Sequence, residues 1–332
     1  MRRAALLALL LLCALALGGC AMEEKADVPD LILRYADNQP EDYPTTLAAK
    51  RFAELVEQET GGRIRIRVFA DGALGDEISV YRQAQFGGID FARVSTGALG
   101  EFFPEAEILQ LPYLFTDASH MWRVLDGEIG DELLEKLGDT GVVGLSWFDA
   151  GTRNIYTRER VRGLDDLAGL VIRVQESDAI SRMVRLWGAS PVQIPYSGVY
   201  SALQTSKIDG AENNWPSYEA SGHFEAAPYY LLDGHSRLAE VMVVSSITME
   251  KLRALDEGFE ETVLRCAREA AQYERELWQE REAASEALVR ERGCVVTELS
   301  AAERQRFRDA VQPMYDSFSG EKKALIERIQ RS

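Results

Sequence analysis

The segment from residue 63 to residue 94, RIRIRVFADGALGDEISVYRQAQFGGIDFARV, decides the fold class. Its first six residues alternate arginine with aliphatic side chains, which predicts a strand with one buried face and three arginines in solvent. Gly75-Asp76-Glu77 begins a helix, and residues 88–94 return to an apolar strand. A strand, a helix and a strand in this order predict parallel strands covered by a helix.

The same pattern continues on both sides of this segment. Residues 31–35 predict a strand, and a helix follows from Pro44 to the stop at Gly61-Gly62. After a strand at 142–148 the alternation begins again. Strands are expected near 154–157, 169–174, 191–194 and 208–212, and helices near 179–187 and 199–203. We therefore expect an α/β protein of two domains.

A long helix is expected to join the two domains. After a strand-rich passage at 229–232 and 239–247, residues 259–292 contain 34 residues without glycine or proline. An unbroken helix of that length spans about 51 Å, more than one domain of this size. We assign residues 30–150 with 239–278 to domain I, and residues 151–238 with 279–332 to domain II.

Residues 1–19 predict a signal peptide, because two arginines precede fourteen residues without a polar side chain. That run is too short to span a bilayer as a helix. Leu17-Gly18-Gly19-Cys20 resembles a bacterial lipobox, which implies lipidation at Cys20 and a tether over residues 20–29. An ordinary leader that contains a cysteine is the alternative. Either way we expect a periplasmic or extracytoplasmic protein, attached to the membrane through a lipid anchor at most.

The charge of the chain limits its partners. Lys and Arg number 37 against 54 Asp and Glu, a net charge of −17, which becomes −19 when Arg2 and Arg3 leave with the leader. Nucleic acids and anionic membrane surfaces bind basic faces, so neither is an expected partner.

Signatures of catalysis and of cofactor binding are missing from the sequence. There is no phosphate-binding loop, no dinucleotide fingerprint and no nucleophile elbow, and the three histidines, His120, His223 and His235, have no metal-ligand spacing. We expect neither a metal nor a cofactor, and not an enzyme. Cys266 and Cys294 could form a disulfide, although two free thiols are favoured because the chain would have to fold back to join them.

Two arginines lie in segments that are expected to be buried, where each positive charge needs an anionic partner. Residues 170–174, LVIRV, are apolar except for Arg173, as expected of a parallel strand buried on both faces. Arg153 lies at the first expected domain crossing. A salt bridge to a local carboxylate explains either arginine alone. Two together favour a cradle for a ligand carboxylate, since guanidinium binds carboxylate in a planar, bidentate geometry.

Residues 35–247 resemble the extracytoplasmic solute-binding proteins of TRAP transporters, the DctP family. The resemblance lies in short stretches in the family order: LGDE at 74–77, GIDF at 88–91, FPEA at 103–106, LPY at 111–113, GTR at 151–153, the D-L-G-IRV pattern at 165–174, GASP at 188–191, VY-ALQ at 199–204 and IDGAEN at 208–213. It implies a two-domain periplasmic-binding-protein-like fold with hinge strands and a domain-spanning helix. It also implies a cleft that closes on a small organic anion, and small and large TRAP membrane subunits as partners.

The resemblance also assigns roles to individual residues. Arg173 holds the ligand carboxylate, Arg153 supports it and Asn213 binds the same end. Tyr196 forms an aromatic wall, whereas Asn38 and Glu77 reach ligand hydroxyls. His235 aligns with a lid histidine, although a packed and hydrogen-bonded histidine is equally compatible. Sialic-acid binders carry an acidic residue where this chain has Ser95 and an arginine where it has Ala98, which disfavours sialate.

The remaining candidates favour a sugar acid as the ligand. Further hydroxyl partners are Gln39, Asp149 and Asn214, and the aromatic side chains that can lie against a sugar ring are Trp215 and Tyr218. A dicarboxylate needs a second cation, for which domain I offers only Arg93, a residue that can equally face outward. We expect a uronate or aldonate such as glucuronate or galacturonate. The alternatives are a C4-dicarboxylate or other organic acid, and an exported α/β enzyme that acts on sugar acids.

Overall fold

Residues 28–332 are described by the computed structural model, and nine strands of this part of the chain form one mixed sheet. The strands are β1 (Leu31–Ala36), β2 (Ile64–Phe69), β3 (Phe91–Ser95), β4 (Val142–Thr157), β5 (Val171–Val174), β6 (Ser190–Gln193), β7 (Gly210–Asn213), β8 (Tyr229–Ser245) and β9 (Val295–Glu298). Their order across the sheet is β2-β1-β3-β8-β4-β7-β5-β6, and β9 also pairs with β8.

Helices cover the two faces of this sheet. They are α1 (Pro44–Glu59), α2 (Glu77–Gln85), α3 (Thr96–Leu99), α4 (Ala106–Leu109), α5 (Ala118–Leu125), α6 (Glu128–Lys136), α7 (Asp178–Leu186), α8 (Val199–Gln204), α9 (Trp215–Ala220), α10 (His223–Ala226), α11 (Ser246–Leu255), α12 (Phe259–Glu291), α13 (Ala301–Asp316) and α14 (Gly320–Arg331). Short 3₁₀ turns occur at Leu137–Thr140, Leu164–Leu167 and Tyr196–Gly198.

The first half of the sheet follows the sequence pattern closely. Strand β1 pairs in parallel with both β2 and β3, as the alternation of strands and helices predicts. In β2, Ile64 and Ile66 are buried whereas Arg65 and Arg67 face solvent. Asp76 caps α2, because its carboxylate accepts a hydrogen bond from the backbone of Ser79. This half of the sheet therefore has parallel strands with helices packed over them.

The two long strands β4 and β8 correct one detail of the sequence prediction. A break was expected between residues 148 and 154 and another between 232 and 239, but each segment is one continuous strand, of 16 and 17 residues. Between Asp149 and Thr152 the register against β8 shifts by one residue, with Gly151 at a φ of 62°. The turn-like sequence there forms a β-bulge, which bends the strand without ending its pairing.

The long helix is confirmed. Helix α12 contains 33 residues and is about 50 Å long. Its first part packs against α1 and β4, where Val263 and Ala267 join the core of the first half. Its later part contacts α9, and Val289 joins the core of the second half. The helix thus bridges both halves of the sheet.

Several expectations concern the N-terminus and the cysteines. The predicted signal peptide, the lipidated Cys20 and the tether up to residue 27 lie outside the described residues. Between residues 28 and 332 no helix combines the length and the apolar character needed to cross a membrane. Cys266 and Cys294 are free thiols, as favoured.

Candidate ligand-binding site

A polar cavity lies between the two halves of the sheet. It contains about 500 Å³ of space, part of it open to solvent. Its lining comprises Asn38, Gln39, Asp76, Glu77, Arg93, Ser95, Arg153, Arg173, Gln175, Glu176, Pro195, Tyr196, Asn213, Asn214, Ser217 and Glu240. Such a lining suits a small hydrophilic molecule better than an apolar one.

Nine of the thirteen residues that the sequence singled out for a sugar-acid site line this cavity. The first half of the sheet and its helices contribute Asn38, Gln39, Glu77 and Ser95. The second half, with the long strand β4, contributes Arg153, Arg173, Tyr196, Asn213 and Asn214. Residues that lie far apart in the chain are therefore brought together where the two halves meet.

Arg173 carries a positive charge that no ion pair within residues 28–332 neutralises. It lies on β5 and is 2% exposed. Its Nε donates a hydrogen bond to the carbonyl oxygen of Ile194 at 2.8 Å. Within the described chain its two terminal nitrogens make no hydrogen bond. Burial lowers the pKa of this guanidinium, and the charge of Arg153 acts in the same direction. The side chain is therefore held in place while its planar end remains free for an anion.

Arg153, unlike Arg173, forms an ion pair with a carboxylate of the protein. Its Nε pairs with the buried carboxylate of Glu212, Nη2 donates to the Glu212 carbonyl oxygen at 2.8 Å, and Nη1 donates to Oδ1 of Asn213 at 2.9 Å. Burial would raise the pKa of Glu212, but Arg153 and His235 outweigh it and lower the pKa to about 2. Arg153 is therefore neutralised by the protein, and it fixes the orientation of Asn213.

Arg93 does not face outward, which corrects the open alternative from the sequence. It is 2% exposed, and its Nε and Nη2 donate to Oδ1 of Asp37 at 3.2 and 2.7 Å. Nη1 pairs with Glu77 and lies 3.2 Å from Oε1 of Glu240. Three carboxylates surround this one guanidinium, so Arg93 has no charge to spare for a second carboxylate of a ligand.

The polar groups beside Arg93 are partly engaged with one another. Glu77 accepts hydrogen bonds from the backbone nitrogen of Ser95 at 3.1 Å and from its hydroxyl at 2.8 Å. Asn38 accepts from Arg93 through its carbonyl oxygen, which directs its amide nitrogen away from the guanidinium. Gln39 has a buried carbonyl oxygen without a partner in the described structure. This end of the cavity offers hydrogen bonds rather than positive charge.

Four of the expected site residues, Asp149, Trp215, His235 and Tyr218, do not line the cavity. Asp149 pairs with Arg237 at 2.9 Å and accepts from the backbone of Gly151 at 2.7 Å, so it stabilises the bulge of β4. Trp215 stacks on Tyr230 with ring centroids 3.7 Å apart and belongs to the core of the second half.

His235 lies in the interior behind the cavity. Its Nδ1 lies 2.6 Å from Asp233 and its Nε2 lies 3.5 Å from Glu212. Burial would lower the pKa of His235, but these two carboxylates outweigh it and raise the pKa to about 9. The packed and hydrogen-bonded alternative therefore describes this histidine. Tyr218, the other expected ring partner, is also fully buried in the core.

Some lining residues were missed by the sequence analysis. Gln175 and Glu176 follow β5 directly, and the carboxyl ends of parallel strands are a common place for ligand contacts. Glu240 is the single charge between Leu238 and Val244 on an apolar strand. The same signal, one charge within an apolar strand, identified Arg173 and would have identified Glu240.

Comparison with known proteins agrees with this geometry. The family model for bacterial extracellular solute-binding proteins of family 7, DctP, matches residues 35–321. A solute-binding protein of Chromohalobacter salexigens is 36% identical over 295 residues, which cover 88% of this chain and 86% of that protein.

Solved structures show the same similarity. A TRAP periplasmic solute-binding protein from Bradyrhizobium, in complex with D-galacturonate, is 41% identical with a TM-score of 0.87, covering 91% of this chain and 100% of that one. One from Pseudomonas putida with bound D-glucuronate is 36% identical with a TM-score of 0.87, covering 91% and 97%. The chain therefore belongs to the bacterial extracellular solute-binding proteins of family 7, the TRAP-transporter binding proteins that its sequence resembles.

Proposed function

We propose that this protein captures a sugar acid, a uronate or a related aldonate, by its carboxylate and delivers it to a TRAP transporter. The observation that carries this proposal is Arg173, a buried guanidinium in the cavity whose terminal nitrogens have no acceptor in the described chain. A carboxylate that forms two parallel hydrogen bonds with it satisfies both the charge and the geometry. The relatives solved with galacturonate and glucuronate support this choice of ligand.

The uncharged polar groups of the cavity favour hydroxyls over a second carboxylate. Gln39 has an unpartnered carbonyl oxygen and Gln175 an unpartnered amide nitrogen, both buried within the described structure. Sugar hydroxyls can donate to the first and accept from the second. A C4-dicarboxylate would place its second charge near the carboxylates around Arg93. A site that hydrogen-bonds hydroxyls also disfavours ligands that lack them.

We further propose that the two halves close over the ligand by rotation at β4 and β8. The bodies are residues 30–150 with 239–278, and residues 151–238 with 279–332. The bulge at Gly151 lies at the boundary between them, which supports a hinge there. The hydroxyl of Tyr43 in one body lies 2.8 Å from the hydroxyl of Ser217 in the other, a direct hydrogen bond between the two bodies. We assign such contacts between the two bodies to the closed form of the protein.

Isothermal titration against glucuronate, galacturonate, gluconate, succinate, sialate and ectoine tests the proposed ligand class. We expect one-to-one binding of at least one uronate or gluconate, weak or no binding of succinate and sialate, and unchanged ligand afterward. An exported enzyme is the competing class, and conversion of a sugar acid during the titration would support it instead. Tight binding of succinate alone would favour the dicarboxylate alternative.

We also propose that residues 1–19 are removed on export and that Cys20 is lipidated, so that the protein acts at the membrane beside its small and large TRAP subunits. The lipobox-like residues before Cys20 support this. Mass spectrometry of the protein from its native membrane should show a lipid on the N-terminal peptide. Cys20→Ser should release the protein from the membrane. An unmodified cysteine in the wild-type protein would reject the anchor and leave the ligand proposal standing.

A further inference from the structure

Glu240 lines the cavity and is incompletely partnered. It lies on β8, is 8% exposed and faces the same space as Arg173. Its Oε1 lies 3.2 Å from Nη1 of Arg93. Its Oε2 is buried and has no hydrogen-bond partner among the described residues. Burial of a polar atom without a partner costs free energy, so this oxygen fits a partner that enters the cavity from outside.

The ionisable groups that face Glu240 are three carboxylic acids and two arginines. They come from every element packed around it: Asp37 after β1, Glu77 on α2, Arg93 on β3, Arg153 on β4 and Glu274 on α12. The hydroxyls of Tyr35 and Tyr43 lie nearby as well. Because Arg153 is already paired with Glu212, Arg93 is the cation that serves the carboxylates at this end.

The three carboxylates around Arg93 are not equally supplied with donors. Asp37 accepts twice from Arg93, at 3.2 and 2.7 Å, and also from a backbone amide and a threonine hydroxyl. Glu77 accepts from Arg93 and twice from Ser95. Among residues 28–332, Glu240 has only its contact with Arg93. The carboxylate with the fewest donors is the one on which a shared proton is most stable.

The charges around Glu240 also favour its protonated form. Burial raises the pKa of Glu240, and Glu77 and Asp37 raise it further against the opposing charge of Arg93, to about 8. The closed form therefore favours the neutral carboxyl group up to a higher pH than an ordinary glutamic acid does.

We propose that Glu240 contacts the ligand as a neutral carboxylic acid, which donates a hydrogen bond from Oε2 to a hydroxyl oxygen of the bound sugar acid. This role rests on the proposed function. Glu240 takes up the proton from solvent when the halves close. The proton returns to solvent when they open, since water in the cavity restores the charged form. Ligand binding is thereby coupled to uptake of one proton.

Proton uptake can be counted directly by calorimetry. D-Glucuronate or D-galacturonate is titrated at pH 7 in phosphate and in Tris, whose ionisation enthalpies differ, and the difference in the heats gives the protons bound. We expect about one proton per ligand for the wild-type protein. The dissociation constant should rise with pH between 5.5 and 8, by up to about tenfold per pH unit.

Two variants identify the group that takes up the proton. Glu240→Gln presents a permanently neutral donor and acceptor, so its binding should show no proton uptake and no rise of the dissociation constant with pH. Glu274→Gln is the matched control, because Glu274 is another buried carboxylate with a raised pKa but does not line the cavity. This variant should retain the wild-type proton uptake and pH dependence.

The experiment distinguishes failure of the role proposed for Glu240 from failure of the proposed function. Uronate binding without proton uptake in the wild-type protein would overturn the role of Glu240 and leave the proposed function intact. Proton uptake that persists in Glu240→Gln would assign the proton to another group and also overturn it. Absence of uronate binding at every pH would reject both proposals.

Discussion

Arg153 and Arg173 line the same cavity, but in the described part of the chain only Arg153 forms an ion pair with a carboxylate. Glu212 neutralises Arg153 in the interior, whereas Arg173 is held through one hydrogen bond to the carbonyl oxygen of Ile194. The two arginines therefore differ in what they stabilise. We therefore expect Arg153 to stabilise the folded protein and Arg173, under the proposed function, to stabilise the complex with ligand.

Arg153→Ala should destabilise the fold. It leaves the buried carboxylate of Glu212 without its main partner, and breaking a buried pair typically costs about 3–5 kcal/mol. The free energy of unfolding in denaturant measures this loss. Arg67→Ala removes an exposed arginine from β2 and serves as the control. Equal stability of the two variants would contradict the role of Arg153.

Tyr43 and Ser217 should contribute to ligand affinity as a pair. Their hydroxyls lie 2.8 Å apart and join the two bodies directly, and a hydrogen bond contributes about 0.5–1.5 kcal/mol net. Tyr43→Phe and Ser217→Ala should each weaken binding by about 2- to 12-fold. The double variant should be little weaker than either, because the bond is already lost. Fully additive losses in a titration would show that the two hydroxyls do not act together.

Ligand binding should make the protein more compact. The bulge at Gly151 and the long strands permit rotation of the halves, and a ligand that contacts both halves shifts the protein toward the closed form. Small-angle X-ray scattering should therefore give a smaller radius of gyration with saturating uronate than without it. An unchanged radius under saturation would count against hinge closure.

The charge on His235 should make the folded protein less stable at alkaline pH. Its folded pKa, raised to about 9 by the two carboxylates, exceeds the ordinary value near 6.5. The resulting stabilisation is fully present below about pH 6.5 and is lost as the pH rises through 9. The free energy of unfolding should fall over this range by about 3 kcal/mol more in the wild-type protein than in His235→Gln. Parallel pH profiles for the two proteins would refute a charged His235.

Much of the fold follows from local patterns in the sequence. The alternation in β2, the glycine stop after α1 and the uninterrupted α12 are set by side-chain periodicity and backbone preferences within a few residues. The continuity of β4 was not predictable in this way. The segment around Gly151 has the composition of a turn, and only its pairing with β8 converts it into a bulge.

The sequence predicted only part of the candidate site, because contacts between distant segments decide the role of several residues. Arg153 and Arg173 look alike in the sequence, and what separates them is Glu212, which lies 59 residues from Arg153 and reaches it through the pairing of β7 with β4. Trp215 lies two residues after the end of β7, where a side chain can face either the cavity or the core. Its stacking on Tyr230 places it in the core. Tertiary pairing of this kind leaves no local trace in the sequence.

The most direct test of the central claim is uronate binding by Arg173→Ala, measured together with thermal unfolding of the free protein. Loss of one partner from a buried guanidinium–carboxylate pair typically costs about 2–5 kcal/mol, so binding should weaken by about 30-fold to several thousand-fold. Arg173→Lys should also lose much of the affinity, because an ammonium group cannot form both bonds. The midpoint of thermal unfolding without ligand should hardly fall. Normal binding with a much lower unfolding midpoint would show that Arg173 serves the fold and would contradict the proposed site.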